Sequence, residues 1–266
     1  MQDEIVSRLA NTLDAQLTEE EARRSERSPH PNSMDLYFQG KALLYKKWTP
    51  EYLAEARGFF ERALELDPAN TEAVVSLALV ETVIGAGFVT DKGTAHLAVA
   101  EAMSVKALSL APNHAFAHFV LGTVLISTNR GAQGIAELER ALALDRNLAW
   151  AHGQIGAAKF FMGRGAETET HMNEAFRLSP RDIFGFNWLM IIGFAKLQLT
   201  ADAEAVSWFL RSIEDNRNYP MAHFGLPLRS RCLARWMRRG PLPRLDLRSI
   251  QALPFAASAT GHKVIT

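Results

Sequence analysis

Apolar side chains return every three to four residues along most of the chain, the period of a helix with one buried face. Thr71 to Thr82, Ala115 to Thr128, Ala149 to Met162 and Ile183 to Leu197 read as helices on this pattern. Between them lie second helices that end on related words. These are Ala63-Leu-Glu-Leu-Asp-Pro68, Ala107-Leu-Ser-Leu-Ala-Pro112, Ala141-Leu-Ala-Leu-Asp-Arg146, Ala175-Phe-Arg-Leu-Ser-Pro180 and Ser212-Ile-Glu-Asp-Asn-Arg217, with starts 44, 34, 34 and 37 residues apart. Seven positions upstream of each start stands another small residue: Ala56, Ala100, Gly134, Thr168 and Ala205.

Seven residues make about two helical turns, so each pair of small side chains shares one helix face. Small residues on that face let a neighbouring helix approach closely, within ~8–10 Å between axes. Bulky residues between them, such as Phe60 and Leu138, are expected to fill the space between the helices. Pro68, Pro112 and Pro180 stop the second helices, because proline lacks an N–H and restricts the residue before it. Leu77/Ala78, Leu121/Gly122 and Ile155/Gly156 recur as a large–small pair in the first helices. Asn129-Arg-Gly131 and Gly163-Arg-Gly165 supply the turns between partners.

A unit of helix, turn, helix and stop at 34 residues resembles the tetratricopeptide repeat. The resemblance implies an all-α, right-handed α-solenoid of tetratricopeptide-type helix hairpins, with about five repeats over residues 34–224. The first repeat carries extra residues around Lys46-Lys-Trp-Thr-Pro50. The second carries ten more around Gly85 to Gly93, expected as an extended loop. The consensus Trp slot holds His118, His152 and His223, which are read as packing residues.

Residues 1–33 are expected to hold an amphipathic helix, from Ile5, Leu9, Leu13 and Leu17, and then a charged linker. Leu36-Tyr-Phe-Gln-Gly40 matches the core of a common tag-cleavage site, but Met34 stands where that site has Glu, and the segment reads as native. From Gly225 to Thr266 the pattern collapses into arginine and proline, with a balance of +7 against −7 for residues 1–224. This basic tail is expected to be disordered; a reading-frame shift near codon 225 is the expected origin of its composition, and a basic arm for nucleic acid or acidic lipid is the functional alternative.

Arg8-Leu-Ala-Asn-Thr-Leu13, Glu21-Ala-Arg-Arg24, Asp35-Leu-Tyr-Phe-Gln-Gly40 and Asn218-Tyr-Pro-Met-Ala-His-Phe224 together resemble the C-terminal tetratricopeptide tail of bacterial class III adenylate/guanylate cyclases. Related tails occur on some winged-helix regulators. No cyclase domain accompanies the motifs, so the resemblance implies a sensory or protein-binding tail. The alternative function it raises is a detached regulatory segment of such a cyclase or regulator.

The whole chain of 266 residues has zero formal net charge, which favours neither nucleic acid nor an anionic membrane. One cysteine, Cys232, permits no internal disulfide. The start Met-Gln-Asp-Glu-Ile-Val lacks the marks of a secretory signal, and the expected location is the cytoplasm. No phosphate-loop or His-Glu-x-x-His motif is present, and no cofactor is expected. Glu167, His171 and Glu174 share a helix face, read as a solvated outer stripe rather than a metal site.

In the tetratricopeptide architecture the first helices line the concave side. Carrying the register across places Phe116, Phe119, Ile126, Trp150, Phe160, Phe161, Phe184 and Phe194 there. An apolar groove of this kind suits a protein or amphipathic helical peptide, bound without catalysis. Several of these rings are equally readable as inter-helix core, and the N-terminal helix is a second candidate to occupy the groove. An uncapped last repeat also points to self-association. Translating the underlying DNA in its other frames is expected to restore an Ala/Leu-rich helix pair after codon 225.

Overall fold

The computed structural model describes residues 2–217 except 29, 47, 88 and 89, with side chains from Leu13 onward. The chain divides into two units, 1–226 and 227–266, and every described helix belongs to the first. His223 and the basic tail therefore lie outside the described residues. Among those residues there are eleven helices and no strand. They are α1 (Gln2–Glu26), α2 (Ser33–Lys46), α3 (Pro50–Leu66), α4 (Thr71–Ala86), α5 (Gly93–Leu110), α6 (Ala115–Ser127), α7 (Gly131–Leu144), α8 (Ala149–Phe161), α9 (Gly165–Leu178), α10 (Gly185–Gln198) and α11 (Asp202–Asp215). No helix among the described residues is long and apolar enough to cross a membrane.

Five hairpins stack in order: α2/α3, α4/α5, α6/α7, α8/α9 and α10/α11. The small-residue columns explain why they close. Ala56, Ala100, Thr168 and Ala205, together with Ala63, Ala107, Ala141, Ala175 and Ser212, have no exposed surface. Midway along each second helix stands Phe60, Ser104, Leu138, Met172 or Phe209, likewise fully buried. Opposite the large ones the first helix carries glycine. A Cβ on Gly40 would lie 2.6 Å from the Phe60 ring, and one on Gly193 would lie 2.7 Å from Phe209. A Cβ on Gly122 would lie 2.8 Å from Leu138, and one on Gly156 would lie 3.0 Å from Met172. Leu36, Tyr37 and Gly40 are buried, so the tag-like segment is part of the core.

The helix ends follow the same register. The cap N–H of Asp67, Ala111, Asp145, Ser179 or Asn216 donates to the carbonyl of Ala63, Ala107, Ala141, Ala175 or Ser212 respectively. Turns within three hairpins pass through left-handed backbone at Asn129, Gly163 and Thr200. Side chains also bolt the first three hairpins together. Asn70 accepts from Ala73 N–H as the α4 cap and donates to Ser33 Oγ, which in turn donates to Ala63 O. His114 caps α6 by accepting the Ala117 N–H at Nδ1, so its Nε2–H donates to Glu72, 2.9 Å away. Buried Glu81 meets His96 Nδ1 at 2.6 Å, and Arg57 Nε lies 3.2 Å away on its other oxygen.

Two expectations change. The ten extra residues of the second repeat do not form only a loop. They lengthen α4 and α5 to 16 and 18 residues, against 13 and 14 in α6 and α7, and the remainder falls between the two helices. The N-terminal helix is longer than expected and does not bury its leucines where their side chains are described. Leu13 and Leu17 are 52% and 62% exposed, while Thr18, Ala22 and Ser25 turn inward. Its main partner is α2, through Lys41 and Tyr45 on Asp14 and through Gln39 donating to Ser25, and it also touches α9. Small and polar groups suit a helix packed this closely, and leucine at those positions would hold it off.

Gly134→Ala is expected to destabilise the protein by about 1–2 kcal/mol. The added Cβ would meet the Gly122 carbonyl at 2.7 Å and Ile126 at 2.6 Å. Because one of those atoms is backbone and cannot rotate away, the overpacking cost falls at the upper end, about 2–3 kcal/mol, and outweighs the ~1 kcal/mol of helix propensity gained. Gly58→Ala, whose Cβ meets nothing within 4 Å, is expected to stabilise by about 0.5–1 kcal/mol. Chemical denaturation of the two variants checks both signs.

Candidate functional site

Each first helix touches the next first helix in line, whereas no comparable contact joins successive second helices among the described residues. The first helices therefore lie on the inner side of the stack, where the spacing is tighter. This side carries two groups of rings. Phe116 stacks on Phe119 at 5.2 Å, both reach Trp150 at about 6 Å, and Trp150 meets Phe184 edge-on at 5.5 Å. Farther along, Phe160 stacks on Phe194 at 6.0 Å and touches Phe161 at 5.1 Å, and Phe194 meets the buried Phe209 at 4.9 Å.

The eight residues picked from the register thus divide by environment. Phe116, Trp150, Phe160, Phe184 and Phe194 are half-buried, and Phe161 is 52% exposed at the end of α8. Phe119 is only 3% exposed and belongs to the core. Ile126 is turned into the α6/α7 crossing, against Gly134. A β-carbon-level register cannot separate these cases, because the inner ring of one hairpin is also the inter-helix filling of the next.

One ring escaped that register altogether. Trp48, in the turn before α3, packs 4.2 Å from Phe184 and 5.8 Å from Trp150, linking the first hairpin to the fourth and fifth. The signal was the extra residues around it. α3 starts six residues before its column residue Ala56, whereas α7, α9 and α11 start three before Gly134, Thr168 and Ala205. That added turn carries Trp48 about 4.5 Å farther out. The turn itself is set by Thr49, whose side chain caps α3 ahead of Pro50.

Asp182 anchors the walls of this aromatic site. One oxygen accepts the Trp150 indole N–H at 2.9 Å, and the other accepts the Phe184 backbone N–H at 2.9 Å. Burial pushes its carboxyl above the usual aspartate range. The histidine slot behaves differently in the two described cases. His118 is fully engaged, by Glu137 at 2.7 Å and the Pro112 carbonyl at 3.0 Å. The buried Nδ1 of His152 has no partner, and its ring lies 5.8 Å from that of His171. Glu167 is taken up by Arg164 and Lys159, and Glu174 by Arg177. Among the described residues no three His, Cys, Asp or Glu side chains converge to hold a metal ion.

Two shallow hollows open among the described residues. One, of about 370 Å³, is bordered by Pro112, His118 and Arg140, and the other, of about 430 Å³, by Phe176, Asp182 and Arg211. Neither brings a nucleophile together with a base.

No family model and no curated protein matches the chain, so the cyclase-tail resemblance rests on its sequence motifs alone. Solved structures do match. TTC0263, a thermophilic TPR protein of Thermus thermophilus, superposes with a TM-score of 0.57 at 16% identity, over 72% of this chain and 95% of that one. A human IFIT1 dimer with m7Gppp-AAAA gives 0.63 at 18% identity, over 82% of this chain and 52% of that one. The Cut9–Hcn1 hetero-tetramer of the APC/C gives 0.53 at 16%, over 80% and 46%. At such identities the likeness shows the fold, an α-solenoid of tetratricopeptide-type hairpins.

The two partly buried histidine rings make stability sensitive to acid. Burial holds both His152 and His171 below the ordinary histidine value. On acidification below about 6.5 the unfolded chain takes up these protons first, so stability falls until the folded pKa values are passed. His152→Gln is expected to lose less melting temperature than the wild type between about pH 7.5 and 5.5. Thermal melts at both pH values read the difference.

Proposed function

We propose that this chain is a non-catalytic protein-binding scaffold, and that its inner face receives the apolar side of a partner's amphipathic helix. The observation that carries this reading is the two groups of partly buried rings on the inner side, Phe116, Trp150 and Phe184 in one and Phe160, Phe194 and the exposed Phe161 in the other. Rings of this kind contribute large contact area at low conformational cost, and a helix laid across them buries anchors at i, i+3 or i+4, and i+7.

The charges nearby favour polypeptide over nucleic acid. Lys41, Lys159 and Lys196 on the first helices are each held by carboxylates: Asp14, Glu167, and Glu169 with Glu204. A capped RNA like that bound to the IFIT1 dimer needs cations for its phosphates, and these lysines are already engaged.

Trp150→Ala and Phe161→Ala are expected to abolish capture of the polypeptides that the wild-type protein retains. Leu66→Ala and Leu144→Ala, at exposed second-helix ends, are expected to retain them. Quantitative affinity capture with the four variants decides. Loss that follows the leucine variants instead removes the inner face from consideration.

A further inference from the structure

The histidine slot differs between the third and fourth hairpins, and the 34-residue register shows how. His118 of α6 meets Glu137 of α7 through its Nδ1, at 2.7 Å. One repeat later His152 of α8 stands in the same slot, but the place of Glu137 is taken by His171 of α9. A second imidazole thus replaces the carboxylate that ties first helix to second. The two rings lie 5.8 Å apart, centre to centre, at 33°. The helices come this close because α8 carries glycine one turn on, where a Cβ on Gly156 would lie 3.3 Å from the His171 Cβ. The buried Nδ1 of His152 has no hydrogen-bond partner in the protein, although the same atom of His118 has one.

We propose that His152 and His171 form a two-imidazole site for a late first-row divalent cation such as Zn²⁺, which ties α8 to α9 as the His118–Glu137 contact ties α6 to α7. An ion held by two imidazoles at about 2.0–2.1 Å, with tetrahedral angles, keeps the two nitrogens about 3.3 Å apart and the ring centres about 5–6 Å apart. The spacing of the pair falls in that range. Burial holds both rings below the ordinary histidine value, so each offers a free lone pair at neutral pH. The cations nearby are neutralised, Arg177 by Glu174 and Lys159 by Glu167, and Glu139 also acts on His171. Imidazole donors select zinc, nickel and copper over magnesium and calcium, which prefer oxygen. With two protein donors the other positions fall to water, so the ion is held more loosely than in a closed four-ligand site. The Glu167, His171 and Glu174 stripe is not this site, because its carboxylates are already taken. The inference does not depend on the protein-binding reading above.

The probe is zinc chloride, titrated calorimetrically into the full chain after chelator treatment, with magnesium chloride in parallel. Zn²⁺ is expected to bind and Mg²⁺ is not. His152→Gln and His171→Gln should each weaken Zn²⁺ binding about tenfold or more. His30→Gln, at an exposed position before α2, should leave it unchanged. Zn²⁺ should also raise the melting temperature of the wild type and of neither slot variant. Imidazole-nitrogen NMR of the wild type reads the ligands directly, and the signals of His152 and His171 should shift together at the first equivalent. A wild type that binds no Zn²⁺ overturns the proposal. Binding that survives both glutamine variants, or a first equivalent that shifts other histidines, puts the ion elsewhere and overturns it as well. Loss in one variant alone leaves a single-histidine contact and overturns the pair. Should circular dichroism find either variant unfolded, the wild-type NMR titration decides by itself.

Discussion

Everything in the stack depends on a match of side-chain size across each hairpin. Phe60, Leu138, Met172 and Phe209 each project from a second helix onto a glycine of the first: Gly40, Gly122, Gly156 and Gly193. The small columns on either side have no solvent contact. Because knob and gap sit at the same heights in each unit, the helices have one way to close, and the inner faces of successive units fall into line. The second hairpin is small at both register positions, with Ala78 on the first helix and Ser104 on the second, whose hydroxyl donates to Ala100 O instead of leaving a polar atom unmet, and there Leu97 of α5 meets Gly85 of α4. The ring band on the inner side is a by-product of this alignment. Shift one hairpin by a residue, and Trp150 would no longer face Phe184.

This is also why so much was legible in advance. Size periodicity is a local property, written afresh in each unit, and it fixes the hairpins, their order and the helix stops. Ala63, Ala107, Ala141, Ala175 and Ser212 mark both the buried column and the carbonyls that receive the cap N–H groups. What was not legible depends on quantities that accumulate. Whether Phe119 lies in the core or on the face follows from small rotations between one hairpin and the next, and so does the meeting of Trp48 with Phe184 across three intervening hairpins. A period carries no information about the sum of such rotations. The N-terminal helix misled for another reason. Its leucines have the strongest pattern, yet close packing on α2 favours Thr18, Ala22 and Ser25, and the pair is tied by Asp14 to Lys41 and Tyr45.

Polar groups make the joints specific where apolar packing alone would tolerate slippage. Asn70, Ser33 and the Ala63 carbonyl tie three helix ends together. His114 spans two units by capping α6 and reaching Glu72 on α4, and this contact holds the Glu72 carboxyl below its usual range. Such bonds are directional, so they resist sliding of one hairpin over the next in a way that leucine and alanine do not. The inner rings hence sit on a frame with little freedom, and Asp182 extends that frame to Trp150 and Phe184 themselves.

The reach of Trp48 alters how the array should melt. In an open solenoid each unit feels only its immediate neighbours, and the ends fray before the middle. Here a side chain from the first unit is packed against the fourth and fifth. The terminal hairpins share a contact, and loosening either one exposes rings on both. A chain of nearest neighbours thereby acquires the cooperativity of a closed ring, in which neither end unzips alone.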